Sequence, residues 1–213
     1  MPDRPLFESL EGLRGTGKST IAPLLAEARG AVLVPTVPPE YQPLRRAVDR
    51  NGNTEARLCF YLSALLTATD EIQRHLAVGV PVVVESYFAR CLANHQAFGA
   101  QLDVTLPTSL PRPVTYQLLC AERERQRRLG ARDKPTSRWD TLSEESASRI
   151  ADAYTQFPMH QLDTTGLGPD QVVQAILDAN PQGAHHRADT ELVGAHPHLL
   201  PPVPRRAAGA GIS

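Results

Sequence analysis

The chain has 213 residues, 41% of them hydrophobic, which suits one domain with an ordinary core, or one domain and a tail. Lys and Arg number 22 against 23 Asp and Glu, so a net charge of −1 gives no overall field to draw in nucleic acid or a membrane surface. No apolar run approaches the roughly 18 residues of a membrane span. The N-terminal MPDRPLFESL lacks the basic and apolar regions of a signal peptide. Cys59, Cys91 and Cys120 form no C-x-x-C and read as buried reduced thiols of a cytoplasmic protein, not a zinc site.

The first predicted strand, Leu6–Leu10, runs into G-L-R-G-T-G-K-S, Gly12 to Ser19, which fits the phosphate-loop pattern G-x-x-x-x-G-K-[ST]. Gly12, Gly15 and Gly17 let the backbone wrap phosphate oxygens, with Thr16 and Thr20 in the same turn. Lys18 is expected to reach the β- and γ-phosphates of ATP and the Ser19 hydroxyl to ligate Mg²⁺. The helix opened by STIAPLLAEA turns its positive end to the anion. A second strand is predicted at Ala31–Val34. A helix follows over 55–78, with Leu58, Leu62, Leu65, Ile72 and Leu76 as an apolar stripe, Thr54 as its cap and Gly79 as its end.

The third strand, Val80–Val84, is nearly all Val, as a parallel strand covered on both faces should be. Glu85 lies just past its carboxyl end, where ligands of such sheets sit. A carboxylate there can hold the Mg²⁺ shell or accept a proton from an attacking hydroxyl. After the fourth strand, Val114–Cys120, residues 121–138 hold seven basic and three acidic side chains. Helical spacing puts Arg125, Arg128 and Arg132 on one face; no aromatics accompany them, which argues against RNA. Thr141 and Glu144 read as the capping box of a helix to about Gln156. A fifth strand, His160–Leu162, precedes a last helix opened by Gly168–Pro169 and ending near Ala179. This alternation predicts a three-layer α/β/α fold on a five-stranded parallel sheet. Residues 180–213, rich in Pro, Gly, Ala and His, read as a flexible tail to a domain spanning 1–179. His185, His186, His196 and His198 read there as solvated rather than metal-bound.

ESLEGLRGTGKST resembles the first strand and loop of the thymidylate kinases and related deoxynucleoside kinases, and the likeness runs through most of 6–179. VLVPTVPPEYQPLRRAVD stands where those kinases have T-R-E-P-G and a short helix. VVVESYFARCLANHQAFG stands at their D-R-Y or E-R-S, and HQLDTTGLGPDQVVQAIL at their closing unit. The resemblance implies a P-loop NTPase fold and a kinase using ATP and Mg²⁺ on a nucleoside or nucleotide. It implies catalytic roles for Lys18, Glu85, Arg128 and Arg132, with Arg128-x-x-x-Arg132 as the R-x-x-x-R of a lid at about 123–138. It also implies that Asp163, in DTTG, borders adenine.

On the acceptor side the resemblance points to Thr36, Glu40, Arg45, Arg57, Tyr61, Tyr87 and Arg90. Two departures stand out. Ser86 occupies the place of the family's Arg after the acidic residue, and Val37 that of the Arg gripping the acceptor phosphate. Thr36 holds the spot of the deoxynucleoside kinases' catalytic Glu, so Glu40 is the nearby substitute, with Arg45 or Arg46 for an acceptor phosphate. The acceptor thus stays open among nucleoside, nucleotide and other small alcohol. The alternatives are a kinase of an antibiotic or other secondary metabolite and a non-catalytic ATP-binding switch. No N-K-x-D segment supports a GTPase. The apolar face of 55–78 permits a homodimer.

Overall fold

The computed structural model describes residues 5–133 and 135–180; the predicted tail lies outside them, apart from its first residue. Five strands, β1 (Phe7–Glu11), β2 (Val32–Leu33), β3 (Val82–Val84), β4 (Val114–Leu119) and β5 (His160–Asp163), form one sheet in the order β2-β3-β1-β4-β5. All four pairings are parallel. The central strand β1 is buried at every residue and leads into the phosphate loop and helix α1 (Lys18–Arg29).

The other helices are α2 (Gln42–Arg50), α3 (Thr54–Ala77), α4 (Phe88–Ala97), α5 (Glu122–Gly130), α6 (Arg138–Glu145), α7 (Ala147–Tyr154) and α8 (Pro169–Ala179). On one face of the sheet, Leu10, Val83, Tyr116 and Leu118 pack with Ile21 and Leu25 of α1 and Val172 and Ile176 of α8. On the other, Phe7, Val82 and Val84 pack with Leu58, Leu65 and Ile72 of α3 and Phe88 and Cys91 of α4. A third cluster joins α4 to α7 through Ala93, Ala97, Ile150 and Tyr154. With apolar side chains on both faces of β3, the Val-rich run has the double covering its composition predicts.

Four local expectations are corrected. The cap of α3 is Asn53, not Thr54: its side chain takes the Ala56 N–H at 2.7 Å, and Thr54 is already helical. The capping box lies at Ser137 and Asp140, four residues before Thr141, where both reciprocal bonds form. The helix expected to run to Gln156 breaks at Ser146 into α6 and α7. Of the three free thiols only Cys91 is buried; Cys59 is exposed and Cys120 intermediate. Among the described residues no helix is long and apolar enough to cross a membrane.

Candidate active site

The sheet order reverses at β1, whose neighbours are β3 and β4, so the loops after β1 and β3 open side by side at the carboxyl edge. Gly12 turns the chain out of β1 with φ 132°, and a Cβ there would stand 2.4 Å from the Leu118 carbonyl oxygen. No side chain fits between the loop and β4. Thr16, Thr20 and Gly17 follow, with the Thr16 hydroxyl donating to the Leu13 carbonyl at 2.9 Å. Lys18 folds back over the loop, its ammonium donating to the Gly12 and Leu13 carbonyls, both at 2.8 Å. Burial, and next the Arg90 guanidinium, hold the Lys18 pKa well below its ordinary value, while Glu85 and Glu11 oppose the shift and Arg132 adds to it.

Glu85 lies at this cradle. Ser9 pairs with Val84 in the sheet, so the residue after β3 emerges beside the loop that continues β1. The Ser19 hydroxyl donates to Glu85 Oε1 at 2.7 Å. A hydroxyl and a carboxylate at one point are hard oxygen ligands of the kind Mg²⁺ takes. The structure therefore brings Lys18, Ser19 and Glu85 together at the loop, with the Arg90 and Arg132 guanidiniums near enough to act on the Lys18 charge.

Several residues that hold this locus were not singled out from the sequence. Glu11 is wholly buried at the end of β1 and accepts the Tyr87 backbone N–H at 2.7 Å, fixing the turn that follows Glu85. Burial pushes the Glu11 carboxyl up to about 7, against the lowering effects of that hydrogen bond, Arg90 and Lys18. Tyr154, from α7, brings its hydroxyl within 3.4 Å of the Gly12 N–H, the Gly12 carbonyl and Glu11 Oε2. Arg14, on the loop, pairs with Asp140 at 3.0 Å and Glu144 at 3.5 Å. The signal for Glu11 was its place, one residue before the first loop glycine; Tyr154 carried none, and Glu144 was read only as half of a capping box.

The single arginine face is also corrected. Helix α5 ends at Gly130, so Arg132 lies beyond it. Arg125 points inward, 2% exposed, pairing with Glu122 at 2.8 Å and Glu144 at 2.7 Å and donating to the Arg14 carbonyl at 3.1 Å. Arg128 commits its fork to Glu124 at 2.8 Å and to the Thr164 hydroxyl and carbonyl at 3.2 and 2.9 Å. Among the described residues Arg132 makes no ion pair.

A groove of about 260 Å³ opens beside the loop, walled by Thr16, Thr20, Arg128, Thr164, Leu167 and Pro169. Asp163 is exposed and takes the Thr165 N–H and hydroxyl at 2.9 and 2.6 Å, which hold its own pKa down and shape the turn carrying Thr164. It acts on this groove through that turn.

On the expected acceptor side, Arg57 and Tyr61 face each other, its guanidinium carbon 4.5 Å from the ring centre and 4.3 Å from that of Trp139. Arg57 donates to Asp49 at 3.0 Å and to His95 Nε2 at 3.0 Å. With Nε2 accepting, His95 donates Nδ1–H to the Cys91 carbonyl at 2.6 Å. Burial keeps this ring neutral, its pKa lowered to about 4. Arg45 reaches the Tyr61 hydroxyl at 3.2 Å. Arg90 donates to Ser86 at 3.3 Å, across one helical turn. Tyr87 is placed otherwise than expected: it is buried, packed edge-on against Phe7 and Phe88, with its hydroxyl on Thr69 at 3.1 Å. Its contacts are those of a core residue. Thr36 and Glu40 make no side-chain hydrogen bond among the described residues, and Glu40 is exposed.

Comparison with solved structures finds a thymidylate kinase from Candida albicans, with a TM-score of 0.67 and 17% identity over 84% of this chain and 94% of that one. A deoxyadenosine kinase from M. mycoides with bound dCTP matches with a TM-score of 0.57 and 13% identity, over 83% of this chain and 100% of that one. The same enzyme with dCMP and dCDP gives 0.62 and 14% over equal shares. The fold is that of the phosphate-loop kinases of nucleosides and nucleotides. At these identities the shared property is the fold. No family model matches the sequence, and no curated protein does.

Proposed function

We propose that this chain is an ATP-dependent small-molecule kinase that moves the γ-phosphoryl group to a nucleoside or nucleotide. The observation that carries the reading is the 2.7 Å bond between Ser19 and Glu85, made at the mouth of the phosphate loop by the first turn of α1 and the residue just past β3. Ser19 and Glu85 would hold Mg²⁺, which when bound neutralises charge on the phosphoryl oxygens. The loop amides and Lys18 bind and orient the donor phosphates. Thr16, Thr20 and Thr164 line the groove that takes the donor base, with Asp163 shaping it. Arg132, which has no partner acid among the described residues, supplies a guanidinium to the developing charge, while Arg128 walls the groove. An acceptor phosphate needs no base; for an acceptor hydroxyl, Glu85 would take the proton in place of holding the metal. Catalysis is then mostly positioning and electrostatics.

Arg90 is the cation we assign to the acceptor's reacting end, since it lies close to Lys18 and faces Ser86. Arg45, Arg57 and Tyr61 form the acceptor wall, with Thr36 and Glu40 at its outer rim. A second reading, a kinase of an antibiotic or other secondary metabolite, is favoured by one feature: Arg57 and Arg45 already face Asp49 and Tyr61, and Val37 offers no charge for an acceptor phosphate. ADP release measured over nucleosides, nucleoside monophosphates and aminoglycoside-type alcohols decides between them. Lys18→Met should abolish product formation with the fold intact by circular dichroism. Wild-type turnover in that variant would overturn the proposal.

A further inference from the structure

Helix α2 carries Arg45 of the acceptor wall, yet buries none of its residues. Its attachment is polar and gathers at Asp49, in its last turn. The Asp49 carboxylate accepts from Arg57 at 3.0 Å and Tyr61 at 3.1 Å, and its backbone carbonyl accepts the Trp139 indole N–H at 2.6 Å. The segment is bounded by Pro38–Pro39 on one side and Asn51–Gly52–Asn53 on the other, residues that suit a change of chain direction. An element with no buried face and a few polar tethers opens at low cost.

Trp139 belongs to α6, and the same short helix grips the phosphate loop. Asp140 and Glu144 pair with Arg14, and Glu144 also holds Arg125, which donates to the Arg14 carbonyl. One eight-residue helix thus touches the donor loop with its acids and the acceptor wall with its indole.

We infer that α6 couples the two halves of the site: nucleotide on the loop steadies α6 through Arg14, and Trp139 transmits that order to α2 through Asp49. The acceptor wall is firm only with the donor in place. Trp139 and Glu144 are positioning residues, neither of which touches a reacting atom. The inference rests on the nucleotide-binding reading above.

Amide hydrogen exchange on the full chain with and without MgADP tests it. Binding should slow exchange over 12–20, and over 42–50 by at least about fivefold. Trp139→Phe keeps the ring stacked on Arg57 but removes the N–H, and Glu144→Gln weakens the grip on Arg14. The response at 42–50 should vanish in Trp139→Phe and shrink in Glu144→Gln, where Asp140 still holds Arg14 at 3.0 Å, while 12–20 stays protected in both and unchanged exchange in β1 shows an intact fold. Protection of 12–20 without any change at 42–50 in the wild type overturns the coupling. An unaltered α2 response in both variants removes α6 as its carrier. Absence of protection at 12–20 refutes nucleotide binding itself, and the coupling falls with it.

Discussion

Replacing Glu11 by Gln offers the sharpest physical test of the site. Glu11 is fully buried and its carboxyl is pushed up to about 7 from an ordinary 4.5, with burial as the largest cause. A displacement of that size corresponds to about 3 kcal/mol. The folded pKa lies above the unfolded one, so the contribution is complete below pH 4.5 and disappears as pH rises through 7. His95 works in the opposite sense over part of the same range: its folded pKa is lowered to about 4, so its contribution is present above pH 6.5 and lost as pH falls. The informative quantity is therefore the stability of wild type minus that of Glu11→Gln, in which His95 cancels. Gln still accepts the Tyr87 N–H, so the turn after Glu85 keeps its anchor. Urea unfolding at pH 5 and pH 8 should show this difference falling by about 2 to 3 kcal/mol, since a part is already lost at pH 5, equal to about 1 to 1.5 M in midpoint at an m-value near 2 kcal/mol/M. A difference that stays constant within about 0.5 kcal/mol between those pH values would refute a buried carboxyl held neutral beside the phosphate loop.

Gly12→Ala places a Cβ against the Leu118 carbonyl at φ 132° and should cost more than about 2 kcal/mol in urea unfolding. Gly30→Ala, at φ 60° with nothing within 4 Å, should cost about 1 kcal/mol, and equal costs would refute the crowding argument. Glu85→Gln weakens one half of the oxygen pair; the Mg²⁺ concentration for half-maximal ADP formation should rise about tenfold. An unchanged Mg²⁺ requirement would separate Glu85 from the metal. Arg125→Met takes from Glu144 its shortest partner, leaving Arg14 at 3.5 Å and Gln126 at 3.1 Å, and should destabilise the fold by about 2 kcal/mol, less than the 3–5 of a wholly buried pair because both acids keep some contact with water. A thermal midpoint equal to wild type would show that Arg125 is not a strut.

What the sequence made legible is what lies contiguous in it. The phosphate loop is one unbroken stretch between a strand and a helix, so motif, backbone and local fold all appear in a single window. Glu85 was visible because parallel strands end on one edge, which turns a position in the chain into a position in space. The cap of α3 was missed by one residue because Asn53 and Thr54 are both good caps and only the backbone tells which is already helical. The arginines of 121–138 show the limit clearly. Spacing on a helix says which side chains share a face, but Arg125 meets Glu144 of α6, an acid that the segment does not contain. Likewise Asp49, His95 and Trp139 come from three separate elements, and no local pattern joins them before the chain folds.

Charge makes the strongest link between the geometry and the proposed reaction. Around the loop stand Lys18, Arg90 and Arg132; burial lowers the Lys18 pKa most, and the two guanidiniums add to it. Facing them are Glu85, which is tied to Ser19, and Glu11, whose burial favours its neutral form. Three basic groups therefore meet little more than one full negative charge. Of these three cations only Lys18 is buried, and its pKa is depressed first by that burial and then by the guanidiniums. A polyphosphate would supply a counter-charge: it would oppose the lowering of Lys18 and give the nearby guanidiniums an anionic partner. This excess of basic over acidic groups is what the multiply charged anion of the proposed reaction would call for.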